Sequence, residues 1–159
     1  MTDPTLDAVL AVFEDSMHQL RTSIEGASTD ALNRQPAGED TNSIAVLATH
    51  AMLSTRMWVG CALDLPVPPR DRPAEFRATA ADAPDLLAFV DACAADCRAL
   101  LATEATFDPR AKRLEPPTAP GASSGEATTA GWALLHAMEH LGEHAGQAAL
   151  TRQVLDQAS

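Results

Sequence analysis

The sequence predicts an all-α protein, a four-helix bundle. Three observations carry this. Long segments place apolar residues alternately three and four positions apart, the period of a helix with one buried face. The composition is rich in Ala and Leu, but only four Phe, two Trp and no Tyr occur in 159 residues, which favours helices with small interfacial side chains over β-sheet. Clusters of proline and glycine punctuate the chain between the periodic segments. A chain of this length buries a substantial core as one domain spanning residues 1–159, without disulfides.

The first helix is expected from about Pro4 to Glu25. Leu6, Leu10, Phe13, Met17, Leu20 and Ile24 form an unbroken stripe, Asp3 can cap the start with Pro4 at the first helical position, and Gly26 ends it. His18 falls off the stripe and is expected at the surface. Residues 27–42 read as a connection with one short helical turn, since Asn33 to Gly38 carries strong turn signals. The second long helix starts near Asn42 or Ser43 and runs to about Leu63, with Ile44, Leu47, Ala48, Ala51, Thr55 and Trp58 on one face and His50 at its edge. Pro66, Pro68, Pro69 and Pro73 are expected to exclude regular structure from the next connection.

The third long helix is expected from about Pro84 to Thr103, with a core stripe of Leu86, Phe89, Val90, Cys93, Cys97 and Leu100. Cys93 and Cys97 are one helical turn apart. Both sit where periodicity already calls for small apolar side chains, and this spacing is poor disulfide geometry, so they read as core, as does Cys61. Residues 104–126 carry Pro109, Pro116, Pro117, Pro120, Gly121 and Gly125 without periodicity; a connection of that length is often a lid or wall to a site. The last helix begins near Thr128 or Thr129 and reaches about Gln157, with Trp132, Leu135, Met138, Leu141, Ala145, Ala148 and Val154 available for packing.

Charge narrows the partners. Twenty-two acidic against eleven basic side chains leave a formal charge of −11, a field that repels phosphate backbones and anionic lipid surfaces and so excludes nucleic acid as a natural partner. No segment approaches the ~18 consecutive apolar residues of a membrane span, and Met1-Thr2-Asp3-Pro4 lacks the basic start and long apolar run of a signal peptide. Three cysteines, an odd number, fit a reducing compartment. A cytoplasmic location is expected.

The last helix carries the chemistry. His136, His140 and His144 follow one another at four-residue spacing, which puts neighbouring imidazoles on one helix face with Cβ atoms about 5–6 Å apart. A metal site of two such ligands needs a third from another helix, and His50 is the candidate. All three residues of the run cannot serve one ion, because His136 and His144 lie about 12 Å apart along the axis and about 80° apart around it. Helix geometry leaves 136/140 and 140/144 open. Glu139 and Glu143 are candidates to hold a ligand's second nitrogen, although sequence neighbours of a ligand point about 100° away from it. Gln147 and Arg152 could meet substrate or a partner subunit, with Arg152 expected to face water.

The segment His140-Leu-Gly-Glu-His144-Ala145-Gly146-Gln147 resembles the C-terminal signature of the DinB family, the DinB/YfiT-like metalloenzymes, in which His-x-x-x-His is followed by x-Gly-Gln. Asn42 to His50, with Arg56 and Trp58 following, is similar to the family's first ligand region, and Ser28 to Pro36 resembles the loop that members carry between their first two helices. The resemblance implies that His50, His140 and His144 are the ligands of a divalent metal, zinc or nickel. His136 then becomes a pocket residue. Members often carry Arg after the last ligand, where this chain has Ala145.

By the same resemblance, to mycothiol-dependent isomerases and bacillithiol or mycothiol S-transferases, the expected activity is a metal-dependent S-transfer from a low-molecular-weight thiol to a small electrophile, or a hydrolysis. A homodimer is implied as well, and Trp58 and Trp132 are candidates for either core or interface. A non-catalytic metal- or small-molecule-binding bundle in stress response or regulation is the alternative, followed by a helical scaffold whose histidines bind nothing. With no Tyr in the chain, no phenol can act as general acid.

Overall fold

A computed structural model describes residues 3–103, 106–119 and 125–157. Pro120 and Gly121, read above as part of the long connection, lie outside the described residues, as do Met1 and Thr2. The elements in order are α1 (Pro4–Ile24), α2 (Thr29–Asn33), α3 (Ile44–Leu63), α4 (Arg72–Glu75), α5 (Ala83–Leu101), β1 (Lys112–Leu114), β2 (Ala127–Thr129) and α6 (Ala130–Gln157). The four long helices form the bundle. Each packs on two neighbours in the cyclic order α1, α6, α3, α5.

Local signals account for the ends of the long helices. Asp3 accepts the Thr5 N–H at 2.8 Å with Pro4 in the first turn of α1, Ser43 accepts the Val46 N–H at 3.2 Å at the start of α3, and Asp82 accepts the Asp85 N–H at 2.8 Å at the start of α5. Replacing the buried Ser43 with alanine is expected to lower stability by about 1 kcal/mol. The urea midpoint should fall at unchanged slope, and an unmoved midpoint would count against the cap. At its other end α3 stops on Asp64 in the left-handed region, φ 58°, whose N–H turns back to Gly60 and Cys61 carbonyls. The chain folds back so closely here that a side chain on Gly60 would run into Val67.

α1 is amphipathic in the expected way: Leu6, Phe13, Met17, Leu20 and Ile24 are buried and His18 is exposed. α3 is buried nearly all round, because α5, α6, α2 and α4 all pack against it. The buried residues of both helices include small side chains, Ala48 and Ala51 in α3 and Ala133, Ala137 and Ala145 in α6. Helices meeting through alanines approach closely, since interaxial distance follows the size of the contact residues. Cys93 and Cys97 are buried in the α5 face, and burial pushes the Cys97 thiol up to about 12.

Several expectations are corrected. The proline-rich connection after α3 contains a helix, α4, because Asp71 caps it by accepting the Ala74 N–H at 3.1 Å and Pro73 sits in its first turn, where no proline N–H is missed. The connection before α6 contains an antiparallel hairpin, with Arg113 paired to Thr128, and its last residue Thr129 starts α6 near where expected, its hydroxyl accepting the Trp132 N–H at 3.2 Å. Trp132, Leu135 and Val154 are 47, 69 and 43% exposed, since α6 packs on α1 and α3 and, among the described residues, no further long helix covers its outer side. Arg152 does not simply face water: its Nη1 donates to the Ser23 and Glu25 carbonyls, supplying partners at the C-terminal end of α1. No helix among the described residues is long and apolar enough to cross a membrane.

Candidate metal centre

Across the α3–α6 contact, His50 from α3 meets His140 and His144 from α6. One ring nitrogen from each lies within 4.8 Å of the other two. The Nε2 of His140 is 3.2 Å from that of His50 and 3.2 Å from that of His144. Two nitrogens bound to one tetrahedral ion at about 2.0–2.1 Å stand about 3.3 Å apart, so the spacing suits a shared cation. His136 is left outside this group. Its ring stacks on Trp132 at 4.7 Å, meets Trp58 edge-on at 5.1 Å, and lies 5.7 Å from the His140 ring.

The surroundings of the rings decide which nitrogen is free. His50 Nδ1 is 2.9 Å from Glu75 Oε2, so an Nδ1–H donates to the carboxylate and Nε2 keeps its lone pair toward the other histidines. His144 repeats the arrangement on a neutral acceptor, its Nδ1–H donating to Gln147 Oε1 at 2.7 Å while Gln147 Nε2 donates to Glu143 Oε1 at 3.0 Å. Hydrogen bonds alone leave the cluster unsatisfied. A proton on His140 Nε2 can serve only one neighbour, and His140 Nδ1 is buried with no partner among the described residues. A cation between the three Nε2 lone pairs removes the conflict at His140 Nε2, and three imidazoles are a donor set that could hold a divalent ion.

Behind His50 stands a buried ion pair that sequence reading missed. Arg70 donates from Nε to Glu75 Oε1 at 2.6 Å and from Nη2 to Oε2 at 2.7 Å, and its Nη1 reaches Ser54 Oγ at 3.3 Å. Both side chains are almost fully buried, at 5 and 2% exposure. The two-pronged geometry compensates the burial of both charges. Burial pushes the Glu75 carboxyl up, but the hydrogen bonds and charges of His50 and Arg70 outweigh it and hold it below the ordinary carboxylate range. The available signal was Asp71-Arg-Pro-Ala-Glu75, a cap, an early proline and a carboxylate inside one turn.

Burial lowers both inner histidines. His50 is pushed below its ordinary value by desolvation and Arg70 against the opposing pull of Glu75, and His140 falls to about 3 through burial first and then the neighbouring imidazoles. Both are therefore neutral, the ligating form, at neutral pH. Of the expected carboxylates, Glu143 acts at one remove through Gln147, and Glu139 is exposed and 3.4 Å from His136 instead of holding a ligand. The described part of the long connection walls a cavity of about 620 Å³ beside Cys61 and secures α4 by accepting the Arg72 N–H on Thr118 O at 2.9 Å.

Fold and site together define a helical bundle with a three-histidine cluster between two of its helices that could hold a metal ion. The chain belongs to the DinB superfamily, whose family model matches residues 12–148. A solved structure described as the conserved protein of a locus from Enterococcus faecalis has the same fold, with a TM-score of 0.73 at 17% identity, covering 99% of this chain and 99% of that one. A comparison with curated proteins returns no match.

Proposed function

We propose that His50, His140 and His144 hold a divalent ion, zinc or nickel, and that the protein is a metal-dependent thiol S-transferase or hydrolase acting on a small electrophile. The observation that carries this is the convergence of three Nε2 atoms, two of them oriented by partners on the opposite ring nitrogen. An ion held by three protein ligands keeps an open position, and bound there it would supply Lewis acidity to an incoming thiol or water. The chain's own contributions are positional. Glu75 and Arg70 hold the His50 tautomer, Gln147 holds that of His144, and burial keeps His50 and His140 unprotonated and ready to ligate.

Elemental analysis of protein purified without a histidine tag tests the metal. About one ion per chain is expected, with loss in a His50→Ala/His144→Ala double variant; equal content in both proteins would sink the ligand assignment. His136→Ala should retain the ion, because its ring belongs to the tryptophan stack. Turnover is tested by conjugation assays pairing mycothiol, bacillithiol or glutathione with small electrophiles. Stoichiometric metal without metal-dependent turnover across such a panel would favour the non-catalytic binding bundle.

A further inference from the structure

One helical turn along the α3–α6 seam from the histidines lies a cavity of about 370 Å³, walled by Leu47, Gln147, Leu150 and Val154 and closed by Thr41 and Asn42 of the connection entering α3. Leu47 is three residues before His50, and Gln147 is the residue that accepts the His144 Nδ1–H. The volume falls at the small end of the range for small-molecule pockets, about 300–1,000 Å³. Its walls are mainly apolar, with a few side-chain amides and hydroxyls, and the one charged residue on it is acidic, Asp40. No lysine or arginine lines it, and the whole chain carries a charge of −11. Leu150 and Val154, 62 and 43% exposed, stand on this cavity, which gives two otherwise unexplained apolar side chains an occupant.

We infer that this cavity binds a small molecule with an apolar body and no negative charge, held against His144 through Gln147; assigning that molecule as the substrate rests on the metal-centre reading above. Burying its body against Leu47, Leu150 and Val154 supplies the affinity, and the polar groups of Thr41, Asn42 and Gln147 orient its uncharged polar end. An anionic counterpart meets Asp40 and the negative field of the chain with no cation to receive it, so charge acts as the discriminating feature. The polar end is directed toward the histidines because Gln147 is shared between the cavity and His144.

Two fluorescent probes with one ring system test this on the full chain, with and without added Zn²⁺: uncharged N-phenyl-1-naphthylamine and its sulfonated analogue 8-anilinonaphthalene-1-sulfonate. The uncharged probe is expected to bind at least about tenfold more tightly. A Leu150→Asp/Val154→Asp double variant should weaken it by about tenfold, while Val12→Asp, on an exposed apolar position of α1, should leave it unchanged. Binding should also shift the His144 ring resonances in the NMR spectrum, assigned by His144→Gln. Equal or reversed preference between the probes, indifference to the double variant, or unmoved His144 signals would each overturn the inference. Zinc stoichiometry is read separately, so a chain that takes up no metal defeats the metal-centre reading while the probe titrations still decide the cavity.

Discussion

His140→Ala is expected to lose stoichiometric metal, with affinity falling more than a hundredfold, beyond the roughly 10–100-fold that follows loss of a group behind a ligand. His140 is the proposed ligand whose Nε2 stands 3.2 Å from both others, so its removal separates the remaining pair. Competition against a chelator of known affinity measures the change, and wild-type retention would remove His140 from the site. The same variant carries a pH signature in metal-free protein. His140 binds a proton near 6.5 when unfolded but only at about 3 when folded. Between those values the unfolded chain holds a proton that the folded chain does not. The stability this residue contributes is therefore complete above pH 6.5 and is lost as pH falls toward 3.

His50 acts in the same direction, whereas the stability contributed by Glu14 and Glu75, also lowered on folding, begins to be lost only as pH falls toward their ordinary 4.5. Melting temperature should thus decline from pH 7 to 5 in the metal-free protein, and decline less steeply in His140→Ala. Parallel slopes would show that the folded chain does not resist protonation at His140.

Glu75→Ala should be the most damaging substitution among the residues that hold His50, destabilising the protein by about 3–5 kcal/mol because Arg70 is left buried without a counter-charge. Metal affinity should fall by about 10–100-fold as well, because nothing then holds the His50 Nδ1–H. An Arg70→Met/Glu75→Leu variant separates the two effects. Replacing both charges with apolar groups of similar volume is often neutral or stabilising, so folding should recover while metal affinity stays low. A double variant with wild-type affinity would reduce the ion pair to a packing feature. Denaturant midpoints and chelator competition on the three proteins give the comparison directly.

The four long helices were readable because each has a repeating apolar face and a conventional start. Asp3, Ser43 and the proline-led start of α5 behave as their local chemistry requires. α4 and the hairpin escaped notice for a physical reason: four residues and a pair of three-residue strands are too short for periodicity to register, and contacts across the fold stabilise them. α4 is held by the Arg70–Glu75–His50 network and by Thr118, distant in sequence. The exposure of Trp132 was hidden likewise, since an apolar side chain on a helix does not reveal whether a neighbouring helix covers it.

The sequence by itself determined the helical class, the placement of neighbouring histidines one turn apart on a shared face of the last helix, and the presence of His50 on a second apolar helix. Those are local properties, set by backbone period and side-chain type. The tertiary structure decided which imidazoles meet: the packing of α3 on α6 brings His50 to His140 and His144, while His136 is taken into the stack with Trp58 and Trp132. It also decided the partners behind the rings. Convergence of nitrogen atoms depends on interhelical distance, rotation and the hydrogen bonds of Glu75 and Gln147, and these arise only when segments far apart in the chain pack together.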